Sequence, residues 1–542
     1  MSQFTITVID TTGKQKYIFN SNRLRENIGA SYLLSQATGE WIEDTLDKHL
    51  KIPKIHQREP IETSGFDAEL IYAAGGNALI IFKSYELAIK FTEILSKRVL
   101  QEAFGINLLV AHADFTWEDN NLRDIVEHLK KSKITDQKYE RVSSVPLLGL
   151  GVTASCNSTQ LPAVDESRNY INYEDDDEEV NSYLISTETK HKLDAVKQAN
   201  QHLQNQFLEV VDPNIYKFPY RTDHLGRTEN KSSYVAIVHA DGNGMGNRFQ
   251  EQGKGKINRE YINTIRAFSN SVDKAGLNAL KAVSESLMNA IQKGKVIGTL
   301  GEFELNTQYY LPFRPLVYGG DDITFLCEGR LGIELAALFL KKFEKQIVSD
   351  NQPLTACAGI SVVKTHYPFA RAYQISEQLC GEAKKFVKDS RKKYSLDYFS
   401  ALDWHLAASG LIGSISEIRQ REYQIIIDNK LQYLSMRPVR LNAHYSEWRT
   451  WDFITKLIRE FKEGEDWKNR KNKVMALREI LRQGSNDAIK YFLKSYNLSK
   501  LPQYSKSGIE GEKAWLDGEG NNLYCGYFDA IEAMDFYISL GE

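Results

Sequence analysis

The strongest constraint on the fold is an order of secondary-structure elements that occurs twice along the chain. In each copy a strand with an alternating residue pattern typical of β-structure ends in an aspartate. A helix, a glycine-rich hairpin, a second helix and a further strand follow it. The first copy has a predicted strand at 4–10, a helix at 23–50, hairpin strands at 70–74 and 78–82, a helix at 85–103 and a strand at 107–115. The second copy has a strand at 234–241, a helix around 280–291, a hairpin at 319, a helix at 331–347, a strand at 354–363 and a helix around 375–386.

This order is that of a ferredoxin-like fold, in which helices cover one face of an antiparallel sheet, as in the palm of many nucleotide polymerases and cyclases. The predicted fold class is therefore α+β, with two ferredoxin-like palm domains and a helical C-terminal domain. Apolar stripes predict the C-terminal helices, for example at Ile454, Leu457, Ile458 and Phe461. The predicted domains are a first, degenerate palm at 1–145, an insertion or linker region at 146–230, a second, catalytic palm at 231–402 and the helical domain at 403–542.

The segment Gly319-Gly320-Asp321-Asp322 lies between two apolar runs and predicts a tight hairpin that presents two adjacent carboxylates. In a ferredoxin-like sheet the first strand lies beside the hairpin, so Asp241 is expected to converge on Asp321 and Asp322. Three carboxylates at one point repel each other unless cations bind there. We therefore expect Mg²⁺ or Mn²⁺, and two such ions, because paired metals of this kind assist phosphoryl chemistry. Taken alone, the same four residues could also form an ordinary hairpin, since Gly and Asp are common in turns.

The first copy differs at the decisive place. Where the second copy has Asp321 and Asp322, the first has Asn77 and Ala78 after its own pair of glycines, Gly75 and Gly76. We therefore predict one metal-binding domain and one related domain that has lost its metal ligands.

Two further features of the second copy suit a triphosphate. The turn Gly242-Asn243-Gly244 follows Asp241, and its backbone N–H groups are predicted to approach phosphates at the start of a helix. Lys384, on the last predicted helix of this copy, is a candidate to pair with a triphosphate as a point charge. The basic residues that follow it on the same helix form either a solvated face or an RNA contact.

Composition excludes several other classes of protein. With 68 Lys and Arg against 71 Asp and Glu, a formal net charge of −3 gives no electrostatic case for strong nonspecific nucleic-acid binding. The five cysteines include no Cys-x-x-Cys pair, and we expect buried free thiols, without disulfides and without zinc. No apolar run approaches the roughly 18 residues that span a bilayer, so we expect no membrane partner and a cytoplasmic location.

Several segments resemble the large polymerase/cyclase subunit of type III CRISPR effector complexes. In the second copy they are 241–249, 318–325, 358–372 and 383–384, and in the first copy they are 22–34 and the Gly75-Gly76 hairpin. The resemblance covers roughly residues 1 to 405 and extends more loosely to the segment around Met436-Arg437-Pro438.

The resemblance implies synthesis of a cyclic nucleotide second messenger in antiviral defence, usually cyclic oligoadenylate from ATP with release of pyrophosphate. By this resemblance Asp241, Asp321 and Asp322 would bind the metals, and Lys384 would contact the triphosphate. Gly319 and Gly320 would form the turn beside the phosphates. Gly75 and Gly76 would help to seat a second nucleotide between the palms. Guide RNA and other CRISPR effector subunits would be its partners.

The chain also departs from that family. It has Asn243 where many members have a second Asp, which leaves a metal role for this position without support. The zinc cysteines common in the family are absent except for Cys156, so the 146–230 region is expected to hold a degenerate zinc-finger-like segment. No N-terminal His-Asp nuclease domain precedes the first palm, so the DNase activity of longer relatives is expected to be missing.

Two other functions remain open from the sequence. One is a diguanylate-cyclase-like enzyme that uses GTP, although such enzymes typically carry Gly-Gly-Asp/Glu-Glu-Phe and here Ile323 follows Asp322. The other is a subunit that binds nucleotide as an allosteric ligand and serves as a scaffold in an RNA-guided complex.

Overall fold

A computed structural model shows the architecture of the chain. It describes residues 3–140, 151–170, 182–225, 233–305, 309–407, 413–427, 430–442, 448–498, 500–502, 514–517 and 522–541. None of the helices in these ranges is both long enough and apolar enough to cross a membrane.

The first palm is a four-stranded antiparallel sheet with strand order β2-β3-β1-β4. Alternating branched and aromatic residues form the strands, and helices with one apolar face cover the sheet. Its strands are β1 (Gln3–Thr12), β2 (Ala68–Ala74), β3 (Asn77–Phe82) and β4 (Asn107–Thr116). Its helices are α1 (Lys14–Phe19), α2 (Leu24–Ala37), α3 (Glu40–Leu50), α4 (Tyr85–Glu102), α5 (Leu122–Leu129) and α6 (Thr135–Glu140). The single predicted helix at 23–50 is thus two helices, separated by Thr38 and Gly39.

A short region connects the two palms. It contains β5 (Asp165–Glu166), β6 (Leu184–Ile185), α7 (Thr187–Asp194) and α8 (Val196–Phe207). Leu203 and Phe207 of α8 are buried in the core of the second palm, while Val196 and Ala199 of the same helix are buried against the first. This helix therefore belongs to the interface between the palms.

The second palm is built on a six-stranded sheet with strand order β11-β12-β7-β13-β14-β17, in which the edge strand β17 is Val439–Arg440. Its elements are β7 (Tyr234–Gly242), α9 (Met245–Gln252), α10 (Asn258–Ala290), β8 (Ile291–Gln292), β9 (Lys295–Gly298), β10 (Gly301–Glu304), β11 (Phe313–Gly319), β12 (Asp322–Glu328), α11 (Gly332–Glu344), β13 (Ala356–Lys364) and α12 (Phe369–Tyr394). Strand β14 (Ala401–Ala407) pairs in parallel with β13 and crosses the predicted boundary at residue 402. The sheet of the second palm therefore continues into the predicted C-terminal domain.

The two palms share the same strand order and the same irregularity. Strands β2 and β11 both carry a one-residue register shift, between Leu70 and Tyr72 in the first palm and between Pro315 and Val317 in the second. Superposing these shifts places Gly76 at the position of Asp321 and Asn77 at the position of Asp322. This corrects the sequence alignment, which matched Asn77 and Ala78 to the two aspartates and was one residue out of register.

The C-terminal part contains the predicted helices and also strands that the apolar stripes did not reveal. The helices are α13 (Ile415–Glu422), α14 (Trp451–Glu463), α15 (Lys471–Leu481), α16 (Asn486–Ser495) and α17 (Phe528–Ala533). The strands are β15 (Gln424–Ile427), β16 (Lys430–Tyr433), β17 (Val439–Arg440), β18 (Trp515–Asp517) and β19 (Leu523–Cys525). Four of these strands form a separate sheet of order β15-β16-β19-β18, so the C-terminal part is mixed.

The cores of the two palms are continuous. The ring of Phe19 on α1 stacks on that of Tyr373 on α12, with centroids 3.7 Å apart. Ile237 and Leu326 of the second sheet lie in the same buried cluster as Ile28 and Leu33 of the first palm. The five cysteines are free and buried, as predicted. The palms therefore form one packed unit, and their hairpins have a fixed relation to each other.

Candidate active site

The three predicted metal ligands lie together at one end of the second sheet. Asp241 and Asp322 are directly opposite each other on the antiparallel strands β7 and β12. Residues in this relation have neighbouring side chains on the same face of a sheet. Asp321 lies in the turn that precedes β12, and its backbone carbonyl accepts the N–H of Gly242 at 3.2 Å. The structure therefore brings together the carboxylates that the sequence analysis singled out.

The turn between β11 and β12 is formed by Gly320 and Asp321. Gly320 has a positive φ of 73°, which glycine adopts readily. In the first palm the equivalent residues, Gly75 and Gly76, both have positive φ, at 62° and 80°. Because only the first position of the second-palm turn needs positive φ, the next position can hold an aspartate. The difference in turn geometry thus explains how a carboxylate is accommodated in one palm where the other has glycine.

Gly242 makes room for the side chain of Asp321. A Cβ atom at position 242 would lie 2.7 Å from Oδ2 and 2.8 Å from Cβ of Asp321. Side-chain atoms do not pack at such distances, so any larger residue at 242 would displace Asp321.

The site carries negative charge that the protein compensates only in part. Burial, together with the charge of Asp241, raises the pKa of Asp321 to about 6 and that of Asp322 to about 7. The side chain of Asp322 is still 46% exposed because it lies on the floor of a cleft. Hard carboxylate oxygens with unbalanced charge are the donors that Mg²⁺ and Mn²⁺ prefer. The residues present therefore fit such ions.

Lys384 provides the partial compensation. Its ammonium group donates hydrogen bonds to Oδ2 of Asp241 and to the carbonyl of Gly242, the latter at 3.2 Å. Burial lowers the pKa of Lys384, but the charge and hydrogen bond of Asp241 outweigh it, and the net direction is upward. Within the described ranges no three His, Cys, Asp or Glu side chains already form a ready-made metal site. A cation at Asp241 would therefore compete with Lys384.

The side-chain and backbone donors of Asn243, which was predicted to approach phosphates, have partners within the protein. Its side chain is buried, and its amide group donates to Oγ1 of Thr355 at 3.2 Å and to the carbonyl of Phe399 at 3.0 Å. Its backbone N–H donates to the carbonyl of Thr355 at 2.8 Å. Both kinds of donor are used inside the protein because this residue joins β7 to the neighbouring loops.

The first turn of α9 offers further backbone N–H groups beside this segment. The N–H of Gly242, also predicted to approach phosphates, donates to the carbonyl of Asp321. Gly244, with φ of 68°, is the N-cap of α9, and its side-chain position is filled by the ring of Tyr398. The N–H groups of the first turn of a helix have no partners within the helix and favour anions. Gly246 in this turn lines the cleft.

The hairpins of the two palms face the same cleft, which has a volume of about 700 Å³. Gly75 and Gly76 lie on its first-palm wall, and Gly319, Gly320 and the two hairpin aspartates lie on the other. Ligand pockets typically have volumes of roughly 300–1,000 Å³. The predicted sites of the two palms therefore share one space.

The sequence analysis missed several residues that line this cleft. Lys14 on α1 donates to the carbonyl of Gly75 at 2.9 Å, and Lys138 on α6 donates to Asp10 at 2.5 Å. In the first palm, Lys138 thus pairs with the aspartate at the end of β1, as Lys384 pairs with Asp241 in the second. Asp273 on α10 and Tyr373 on α12 also line the cleft. The sequence contains no signal for these residues, because neither their type nor their spacing is unusual. They are identified only once the structure shows which side chains line the cleft.

Comparisons with known proteins agree with this geometry. The family model for the second palm domain of Cas10/Cmr2 matches residues 234–393. No curated protein sequence matches the chain.

Solved structures extend the likeness to nearly the whole chain. A Csm1–Csm4 cassette in complex with AMPPNP matches with a TM-score of 0.55 and 13% identity over 99% of this chain and 70% of the other. A cassette in complex with cA4 matches with a TM-score of 0.53 and 13% identity over the same shares. Csm1 of T. onnurineus matches with a TM-score of 0.52 and 14% identity over 98% of this chain and 70% of the other. At these identities the likeness shows the fold: the chain has the fold of these Csm1 structures, and residues 234–393 match the second palm domain of Cas10/Cmr2.

Proposed function

We propose that this protein is a metal-dependent nucleotidyltransferase that makes cyclic oligoadenylate from ATP in type III CRISPR defence. The observation that carries the proposal is that Asp321 and Asp322 line a cleft shared by both palms, while Asp241 lies directly opposite Asp322 on the neighbouring strand. Fold relatives solved with AMPPNP and with cA4 support ATP as substrate and a cyclic oligoadenylate as product.

In this proposal Asp241, Asp321 and Asp322 hold two Mg²⁺ or Mn²⁺ ions. Such ions, when bound, neutralise phosphate charge and favour the ionised form of a nucleotide 3′-hydroxyl. The reaction joins that 3′-oxygen to the α-phosphorus of a second ATP and releases pyrophosphate. The protein itself contributes position and electrostatic stabilisation, since phosphoryl transfer needs little covalent chemistry from side chains.

The triphosphate is proposed to bind between the N-terminus of α9 and Lys384. The helix offers the N–H groups of its first turn, and the lysine offers a mobile positive charge. Lys384, which contacts Asp241 in this structure, would contact the phosphates if Asp241 held a metal ion. Gly75 and Gly76 are proposed to seat the second nucleotide on the opposite wall, where the space beside Gly75 is open and Lys14 lies beside Gly76.

The partners are proposed by the same likeness. The relatives with AMPPNP and cA4 are Csm1–Csm4 cassettes, which supports assembly of this chain with another CRISPR effector subunit. Guide RNA is a further proposed partner, which rests on the sequence resemblance alone.

A nucleotide-binding scaffold is the second candidate, and one observation favours it. Lys384 already neutralises Asp241, which is how a site that no longer uses a metal could be stabilised. The two functions differ in whether any product forms.

The test is product analysis. Purified protein, alone and with partner subunits and target RNA, is incubated with each nucleoside triphosphate and Mg²⁺ or Mn²⁺, and products are identified by mass spectrometry. We expect cyclic oligoadenylate from ATP, and none from the Asp321→Asn/Asp322→Asn double variant when circular dichroism shows that it is folded. Product from GTP alone would support the diguanylate-cyclase alternative. The absence of product under every condition would support the scaffold, and undiminished synthesis by the double variant would refute the proposed site.

A further inference from the structure

The turn that carries Asp321 is held from behind by the long helix α10. The carboxylate of Asp273 accepts the backbone N–H of Gly320 through Oδ1 at 3.0 Å. Gly320 is the residue immediately before Asp321. This hydrogen bond therefore fixes the peptide group at the start of the turn, which sets the direction in which Asp321 leaves the backbone.

A second contact on the same helix fixes the other side of Gly320. A Cβ atom built at Gly276 would lie 2.3 Å from the carbonyl oxygen of Gly320. The helix backbone and the turn are thus closer at this point than any side chain would allow. The N–H and the C=O of Gly320 both face α10, one against a carboxylate and the other against a glycine.

The helix that holds the turn is itself fastened to the first palm. Glu69 on β2 is fully buried and forms ion pairs with Arg259 and Arg266 of α10, at 2.7 Å and 2.6 Å. Arg266 also donates to the backbone carbonyls of Leu70 and Ile71 at 3.2 Å. Asp273 lies two turns beyond Arg266, so α10 connects the first-palm hairpin strand to the second-palm turn.

We propose that Asp273 is a positioning residue for the reaction, which acts by holding the turn of Gly320 and Asp321 in the orientation that metal binding needs. This inference rests on the proposed function. The Asp273 carboxylate acts through its hydrogen bond to the backbone N–H of Gly320, so the residue at 273 must supply an acceptor oxygen beside that N–H. The charge of the carboxylate is not required, and an amide oxygen of the same geometry serves.

The experiment compares Asp273→Ala, Asp273→Asn and Lys274→Ala with the wild type in steady-state ATP turnover. Lys274 is the exposed neighbour on the same helix and is the matched control. Misplacing a reacting group by about 1 Å can cost about a hundredfold in rate, so Asp273→Ala is expected to lower kcat by up to that factor. Its KM for ATP is expected to change little, because the triphosphate contacts lie elsewhere. Asp273→Asn is expected to restore most of kcat, and Lys274→Ala to match the wild type.

Thermal unfolding separates a local effect from loss of the fold. Equal melting temperatures for the Ala and Asn variants, with activity only in the Asn variant, support the inference. If the Asp273→Ala variant keeps the wild-type kcat, or if Asp273→Asn is as inactive as Asp273→Ala, the positioning role is refuted. If the wild type itself makes no product, the proposed function has failed. In that case hydrogen exchange tests the role of Asp273, by measuring how far Mg²⁺ or Mn²⁺ protects the backbone N–H groups of the β11–β12 turn. Protection that is lost in Asp273→Ala and retained in Asp273→Asn supports the inference, and any other result refutes it.

Discussion

Replacing Asp322 by Asn is expected to abolish synthesis and, in the absence of metal, to make the folded protein more stable. The pKa of Asp322 is raised from 3.8 to about 7, first by burial and then by the charge of Asp241. A raised carboxyl pKa means that the folded state binds the proton more tightly than the unfolded state does. The penalty is therefore absent below pH 3.8, grows as the pH rises, and is complete above about pH 7. Asparagine removes the charge and with it the penalty.

The magnitude follows from the size of the shift. One pKa unit corresponds to 1.36 kcal/mol, so a shift of about three units sets an upper limit of roughly 4 kcal/mol. The side chain is 46% exposed to the cleft, and solvent screens much of this energy. We expect a gain of about 1–2 kcal/mol, which is a rise of a few degrees in melting temperature for a domain of this size.

The assay is thermal unfolding of wild type and variant in EDTA and in excess Mg²⁺, at about pH 5 and about pH 8.5. In EDTA the variant is expected to be the more stable protein at both pH values, with a smaller advantage at about pH 5 than at about pH 8.5. In excess Mg²⁺ this advantage is expected to disappear, since Mg²⁺ stabilises the wild type by binding its folded state. Asp397→Asn, at an exposed position in the same domain, is the control and is expected to change little. Equal or lower stability of the Asp322 variant in EDTA at the higher pH would refute the reasoning.

Three further predictions follow from the same contacts. Below about pH 7 a higher Mg²⁺ concentration is expected for half-maximal synthesis, because protons compete for hairpin carboxylates whose pKa values are about 6 and about 7. A Mg²⁺ titration at several pH values checks this, and a half-maximal concentration that does not change with pH would contradict it. Gly276→Ala is expected to cost about 1–3 kcal/mol and to lower kcat, since its Cβ would meet Gly320 O at 2.3 Å. Gly381→Ala, in open space on α12, is the matched control in unfolding and turnover assays and should not destabilise. Glu69→Ala is expected to lower the free energy of unfolding by about 3–5 kcal/mol, because two arginines of α10 lose a buried partner. Thermal unfolding checks this, and an unchanged melting temperature would show that the ion pairs do not hold the palms together.

The sequence predicted the parts of the fold that have a clear period or a clear turn signal. The glycine-rich hairpins, the strands that end in Asp10 and Asp241, and the convergence of Asp241 on the hairpin could all be inferred from the order of elements. The helical stripe of α14 was also correct, because it has a strong period of 3.6 residues. These features depend on local pattern, which one sequence contains.

What the sequence could not supply depends on contacts between distant segments. The match of Asn77 to Asp322 follows from the pairs that close the two turns, Ala74 with Asn77 and Gly319 with Asp322, and the glycine pairs alone misaligned them by one residue. Asn243 has the right residue type for a phosphate turn, but Thr355 and Phe399 capture its donors. The short C-terminal strands have too few residues to show alternation. The acidic run at 174–179, whose self-repulsion predicts a solvated loop, lies outside the described residues.

The pairing of Asp10 with Asn77 in the first palm has a consequence for how a ring could be assembled. Because that palm offers a single carboxylate where the other offers a set, each chain has one place at which a phosphodiester linkage can be made under the proposed function. Successive linkages must then be made by the same machinery in turn. The growing oligomer has to step along the cleft, so that each newly added 3′ end arrives where the previous one stood, and ring closure becomes the last of these steps.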